Sequence, residues 1–344
     1  MDVSKLPFSM KPVGWFQVAW SGEIPRGTVK PLKYFGHDLV AFRAEDGRLA
    51  VLDAHCHHLG AHIGYGGTVK GDCVTCPYHG WVWGFDGKNV SIPYLDKAVN
   101  RRLRSWPVKE QHECVFIWHD PTRSPPRFDL PHIFESFREF SDRPPEDYYP
   151  AYPQAVLKMA NEEVHPQITF ENSVDPLHFR YVHGAPIDPL LLEYDVRGSV
   201  FRTLFGFKSV KTNDIAMRFE TKTTGVAASF NVFKGSYNYR VLFSVTPVDD
   251  RTSDLFYSIW WPRKDGDKRE RMPEELQQRI RAQFLHTVEE DLLIWRTQTY
   301  VERPIFPEKE LRPYMALREF QSTFYDLPPV EGKAAELQPA EAWK

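Results

Sequence analysis

The sequence predicts an α+β fold in two parts: a small all-β domain, then an antiparallel sheet closed by one long helix. Three observations carry this. Residues 13–120 break into short β-rich runs separated by turn signals. Pro121, Pro125, Pro126, Pro131, Pro144, Pro145 and Pro150 then punctuate a connector with room for at most one short helix. Beyond it, apolar and polar residues alternate at the strand period from about 198 to 261, and residues 273–297 switch to the helical period. The expected boundaries are 10–121, 122–150, 151–334 and a polar, Ala/Glu-rich tail at 335–344.

The elements follow in order. Leu39–Arg43 and Leu49–Leu52 flank Ala44-Glu45-Asp46-Gly47, a hairpin with an Asp-Gly turn. Val82-Trp83-Gly84-Phe85 runs into a second such turn at Asp86-Gly87. Cys114–Trp118 reads as a buried strand, and residues 168–182 have helical potential. Phe219–Thr223 and Ser258–Trp261 read as strands of one antiparallel sheet. Pro273 opens the long helix, which runs to about Thr297.

Composition narrows the function. At 344 residues, with 42% hydrophobic and 14% aromatic residues, the chain suits two packed domains rather than disorder. A net charge of −3 gives no reason to expect nucleic acid or an anionic membrane as partner. Cys56, Cys73, Cys76 and Cys114 are too few and too clustered for a disulfide scaffold. Met1–Trp20 does not read as a signal peptide, and no apolar run approaches the length of a membrane span. A cytoplasmic setting is the expectation.

The strongest motif is Cys56-His57-His58, seventeen residues, then Cys76-Pro77-Tyr78-His79: C-x-H-x17-C-x2-H. Two thiolates and two imidazoles from tight loops are what a Rieske [2Fe–2S] cluster takes, Cys₂ on one iron and His₂ on the other. Spacing selects His58 over His57. Cys73-Val74-Thr75-Cys76 could instead hold structural zinc with Cys56 and His58, but that leaves Pro77–Trp81 without a purpose. Cys73 is then a free, buried strand cysteine.

A second constellation lies at Asp175, His178 and His183, D-x2-H-x4-H. Two imidazoles and a carboxylate form the facial triad of non-haem Fe(II) oxygenases, which leaves positions open on the metal. Histidines five apart sit about 140° from one another on an ideal helix, so the helix must end or distort near His183. Gly184 and Pro186 favour an ending there. For the carboxylate, Ile280, Phe284, Val288, Leu292 and Trp295 form an apolar stripe on the long helix. Asp291 falls within about 20° of Phe284, inside the stripe, where a carboxylate needs a partner or a metal. It is the expected third ligand. Glu289 and Glu290 fall on the outer face as solvated charges. Asp175 shares the face of His178 and is expected to accept a hydrogen bond from it. Asn172 either hydrogen-bonds near the metal or caps a helix. Glu162, Glu163 and His165 read as surface or loop residues. The basic run Lys97, Arg101, Arg102, Arg104 and Lys109 is either a docking site for an acidic electron donor or a solvated edge.

Together these motifs resemble the oxygenase component of the Rieske non-haem iron oxygenases. Cys56, His58, Cys76, His79, Asn172, Asp175, His178 and His183 match the family pattern. Glu290–Trp295, Gly67–Asp72 and Trp81–Lys88 resemble the branch of the 3-ketosteroid 9α-hydroxylases and, further off, the cholesterol 7-desaturases. The first loop departs from the family in carrying His55, His57 and His62 beside its ligands.

The resemblance implies a Rieske domain followed by a helix-grip catalytic domain, in a head-to-tail homotrimer. It implies a [2Fe–2S] cluster and a mononuclear Fe²⁺, with Asp175 bridging electrons from one subunit's cluster to its neighbour's iron. It also implies O₂ as co-substrate and a separate NAD(P)H-dependent reductase or ferredoxin, since the chain has no G-x-G-x-x-G segment. The implied activity is monooxygenation of an apolar, steroid-like substrate. Dealkylation, desaturation or dihydroxylation of another substrate would use the same iron set. A soluble Rieske electron carrier is the rival class. Such a carrier would end near residue 120, and Ala61 and Tyr78 stand where respiratory-type proteins place extra cysteines.

Overall fold

The computed structural model describes residues 6–325, so the expected tail at 335–344 lies outside them. Three small antiparallel sheets build the N-terminal part. β1 (Gly14–Trp20), β11 (Cys114–His119) and β10 (Val108–Gln111) form one. β2 (Val29–Tyr34), β3 (His37–Arg43), β4 (Leu49–Asp53) and β9 (Ser105–Trp106) form the second. β5 (Thr68–Lys70), β6 (Cys73–Thr75), β7 (Val82–Trp83) and β8 (Asn89–Ser91) form the third.

The expected hairpin is present as β3 and β4, with Gly47 at φ +99 in its turn. The second Asp-Gly turn closes β7 onto β8. Gly87 there has φ +83, and a Cβ on it would lie 2.2 Å from Leu103 O, so only glycine fits. In the connector the backbone makes two 3₁₀ turns, Glu135–Phe137 and Pro145–Asp147.

The C-terminal part is one seven-stranded antiparallel sheet. Its order is β12 (Val156–Glu162), β18 (Ser253–Trp260), β17 (Arg240–Pro247), β16 (Ala228–Gly235), β15 (Ile215–Thr224), β14 (Val200–Lys208) and β13 (Leu190–Arg197). Alternation sends its two faces to different cores. Val232, Leu242, Phe256 and Trp260 join Phe16, Val18, Phe116 and Ile117 of the N-terminal part in one apolar cluster. The two halves are thus packed on a common core, not joined by a loose linker. On the other face, Val241, Phe243, Leu255, Tyr257 and Ile259 pack against the long helix.

Among the described residues, four helices cover that second face: α1 (Pro166–Phe170), α2 (His178–Tyr181), α3 (Glu274–Thr297) and α4 (Glu308–Ser322). The apolar stripe of α3 behaves as expected. Ile280, Val288, Leu292 and Trp295 are buried, with Phe284 half-buried beside them. The helical potential over 168–182 is realised as α1, a 3₁₀ turn and α2. Pro176 explains the break: it lacks an N–H and pushes the preceding residue out of the helical region, and Asp175 is extended at φ −104, ψ 96. Helix α4 was not expected because a proline inside it, Pro313, argues against a helix, although Pro313 lies in register with buried Ala316, Leu317, Phe320 and Gln321. Its Leu317 and Phe320 pack on Phe201 and Val174.

Candidate metal centres

The two Cys/His loops have the same backbone construction. In the first, Gly60 N–H bonds Cys56 O (2.9 Å) and Cys56 N–H bonds Ala61 O (2.9 Å). In the second, Gly80 N–H bonds Cys76 O (3.1 Å) and Cys76 N–H bonds Trp81 O (2.8 Å). Each turn closes four residues after its cysteine on a glycine with positive φ, +75 at Gly60 and +71 at Gly80. The resulting pair of turns buries Cys56 and Cys76 in the core of the second and third sheets, among Val40, Phe42, Val74 and Trp83.

The imidazoles end up on the opposite, more open side. His58 and His79 are half-buried, with ring centroids 4.5 Å apart. His58 is stacked on Trp81 at 4.8 Å, and Tyr78 lies against His79 at 3.8 Å. His57 is exposed and turned toward Trp83, so it is His58 that meets His79. Two observations fit a cluster here. Burial pushes the Cys56 thiol above its ordinary value of 9.0, a penalty that a bound metal removes by deprotonating the sulfur outright. The buried Nδ1 of His58 has no hydrogen-bond partner among the described residues. Cys73 stands apart. It is half-buried rather than buried, its thiol donates to Asp72, and burial beside that carboxylate raises it to about 11.

The second centre joins α2, the turn after it, and α3. One donor atom each from His178, His183 and Asp291 lies within 4.8 Å of the others, and all three residues are half-buried. The five-residue spacing of the histidines is accommodated by a widened turn. His183 N–H reaches back to His178 O (3.4 Å), an i→i−5 bond that brings positions five apart onto one side. Gly184, at φ +67, then turns the chain away. His183 Nε2 is 3.3 Å from Asp291 Oδ1. Asn172 Nδ2 donates to the same oxygen (3.2 Å). Asn172 therefore belongs to this centre; the cap of α1 is His165, whose Nδ1 accepts from Gln167 N–H.

Three expectations change in detail. His178 Nδ1–H donates to the backbone carbonyl of Asp175, not to its carboxylate. The carboxylate caps α2 instead, with Oδ1 accepting from Leu177 N–H (2.9 Å) and His178 N–H (3.2 Å). Glu290 is not a solvated charge: it is half-buried, and its Oε2 accepts from His183 Nδ1 (2.9 Å). His165 is fully buried, while Glu162 pairs with Arg296 (2.6 Å) and Glu163 with Arg251 (3.2 Å).

The electrostatics follow. Burial lowers His178, with Asp291 and Asp175 opposing it. For His183 burial is the largest single influence, yet Asp291 and Glu290 together outweigh it and raise the ring above 6.5. Phe179, next to His178, wedges edge-on against Phe205, Phe207 and Phe219. These begin a row of rings across the sheet, Phe205, Phe219, Phe233, Tyr239 and Trp261, with successive centroids 4.2–5.5 Å apart.

Residues 14–107 match the Rieske [2Fe–2S] domain, and residues 117–325 match the 3-ketosteroid 9α-hydroxylase C-terminal domain. The chain is a Rieske oxygenase of the 3-ketosteroid 9α-hydroxylase family. Members of this family carry a [2Fe–2S] cluster and a mononuclear iron, and the donor sets just described fit both. A probable 3-ketosteroid-9-alpha-monooxygenase oxygenase component from Rhodococcus rhodochrous is 28% identical over 327 residues, covering 91% of this chain and 79% of that protein. A cholesterol 7-desaturase from Hemicentrotus pulcherrimus is 36% identical over 179 residues, 51% of this chain and 36% of that protein. The match covers about a third of that desaturase and of a second one from Ciona intestinalis. Among solved structures, dicamba monooxygenase bound to dicamba shares the fold, with a TM-score of 0.65 at 20% identity, covering 90% of this chain and 97% of that one. No helix among the described residues is long and apolar enough to cross a membrane.

Proposed function

We propose that this chain is the terminal oxygenase component of a multicomponent monooxygenase that hydroxylates an apolar, steroid-like substrate. The observation that carries the reading is the pairing, in one chain, of a Cys₂His₂ loop pair with the His178, His183 and Asp291 group. An electron carrier has no use for the second.

Cys56, Cys76, His58 and His79 would hold the cluster; His178, His183 and Asp291 would hold Fe²⁺. When bound, the cluster supplies single electrons and the iron supplies reductive activation of O₂. The chain's own residues set the conditions for both. The carbonyl of Asp175 and the carboxylate of Glu290 accept hydrogen bonds from the Nδ1–H groups of His178 and His183, which leaves both Nε2 lone pairs free as ligands. Asn172 holds the Asp291 carboxylate in place. Phe179 and the aromatic row give the neighbouring wall an apolar character that excludes water and suits a hydrocarbon skeleton.

The domain division proposed is 10–121 for the cluster and 151–334 for the catalytic part, joined by 122–150. Electrons would arrive from a separate NAD(P)H-dependent reductase or ferredoxin in the cytoplasm. Cys73 and Cys114, the two cysteines outside the cluster loops, form no disulfide, which is consistent with that reducing compartment. A head-to-tail homotrimer is proposed in which Asp175 connects one subunit's iron site to its neighbour's cluster. The open imidazole side, rimmed by exposed Leu59, Tyr65, Tyr78 and Tyr94, suits such a contact. Desaturation is the second reading of the chemistry, favoured by the similarity to cholesterol 7-desaturases over half of the chain.

Substrate-dependent O₂ uptake with a surrogate reductase tests the proposal, run across steroids, aromatic acids and N-methyl compounds. Uptake coupled to a hydroxylated steroid is expected. Uptake with aromatic acids alone would remove the substrate assignment.

A further inference from the structure

We propose that Glu290 is a positioning residue of the iron site, holding His183 in the tautomer and orientation that present Nε2 to the metal. The proposal rests on reading His178, His183 and Asp291 as iron ligands. Two consecutive residues of α3 address the two nitrogens of one imidazole: Glu290 Oε2 lies 2.9 Å from Nδ1, and Asp291 Oδ1 lies 3.3 Å from Nε2. A neutral imidazole has one N–H and one lone pair. Donating Nδ1–H to Glu290 leaves the lone pair on the side facing Asp291 and His178.

His183 needs such an anchor more than His178 does. It lies beyond the end of α2, which has only four residues, and directly before Gly184 in the left-handed region. A stretch that short has little stiffness of its own. His178 has its Nδ1 partner in the backbone of its own turn, at Asp175 O. His183 takes its partner from a different element, the 24-residue helix that also carries Asp291. Helix α3 therefore fixes both the third ligand and the ring plane of the second. The other Glu290 oxygen is 3.4 Å from Nε2 of the exposed His286, a surface contact worth little by itself.

The test compares Glu290→Leu, Glu290→Gln and His286→Ala in the full chain with its cluster assembled. Fe(II) affinity is read by competition with a chromophoric chelator, and the site's symmetry by EPR after adding nitric oxide. The Rieske EPR signal reports whether the fold is intact. Glu290→Leu is expected to weaken Fe(II) binding by about 10–100-fold and to alter the nitrosyl signal. Glu290→Gln, whose amide oxygen still accepts from Nδ1–H, is expected to stay close to wild type, as is His286→Ala. Wild-type affinity and signal in Glu290→Leu would overturn the proposal, as would an equal loss in the leucine and glutamine variants. A wild-type chain that binds no Fe(II) beyond its cluster would instead overturn the ligand reading beneath it.

Discussion

Replacing Asp175 with asparagine separates the two roles this residue is given. Its Oδ1 accepts from Leu177 N–H and His178 N–H, which makes it the cap of a four-residue helix that carries His178. Asparagine caps about as well as aspartate, whereas alanine loses about 0.5–2 kcal/mol. Iron binding requires α2 in place, so that loss passes into apparent Fe(II) affinity as a factor of roughly 2–30 for Asp175→Ala. Asp175→Asn should leave Fe(II) affinity and the Rieske signal unchanged. The proposed bridge is more demanding, because it needs an ionised acceptor for a neighbouring imidazole. Exchanging a charged for a neutral acceptor removes about 1–1.5 kcal/mol, or roughly tenfold in the bridged population. Stopped-flow reoxidation of the pre-reduced cluster by O₂ and substrate reads this directly. The expected result is an asparagine variant with full iron and reoxidation slowed about tenfold or more. Iron loss equal to that of the alanine variant would refute the cap, and wild-type reoxidation would refute the bridge.

Two further outcomes follow from buried polar groups. His165 uses both ring nitrogens as a neutral imidazole, Nε2–H to Ser9 O (3.0 Å) and Nδ1 from Gln167 N–H (3.1 Å), and burial lowers it from 6.5 to about 4. Its contribution is fully present above pH 6.5 and falls as pH drops to about 4, by about 3 kcal/mol in all, because the unfolded chain takes up a proton that the folded one refuses. His165→Asn should flatten the pH dependence of the urea midpoint between pH 7 and 4.5; an unchanged slope would contradict this. Arg240 is fully buried and donates to the carbonyls of Ile133 (2.6 Å), Ser141 (3.2 Å) and Arg143 (3.3 Å). Arg240→Met should cost about 3 kcal/mol or more and expose residues 131–143 to proteolysis, since the freed carbonyls stay buried.

What could be read before the fold was known depended on how local each signal is. The cluster loops are self-contained turns, so spacing alone singles out Cys56, His58, Cys76 and His79 as candidate donors, and the fold sets His58 against His79. Asp291 stands out as a candidate because helical periodicity places it among Val288, Leu292 and Trp295, and the structure sets it beside His178 and His183. Glu290 was missed for the complementary reason. Its partner His183 arrives from the turn after α2, 107 residues away, and no helical wheel contains that contact. His165 gave no signal because the segment that buries it is remote, with Phe8 and Tyr325 against its ring. The helical potential over 168–182 is realised only in pieces, because Pro176 cannot continue a helix.

Metal and sulfide analysis of paired variants tests the central claim most directly. Wild type should hold about three irons and two acid-labile sulfides per chain, two of the irons in the cluster and one at the second centre. His178→Ala should lose about one iron and no sulfide, and Cys76→Ser should lose both sulfides while the mononuclear iron remains. Two irons and two sulfides in wild type, unchanged by His178→Ala, would contradict the account.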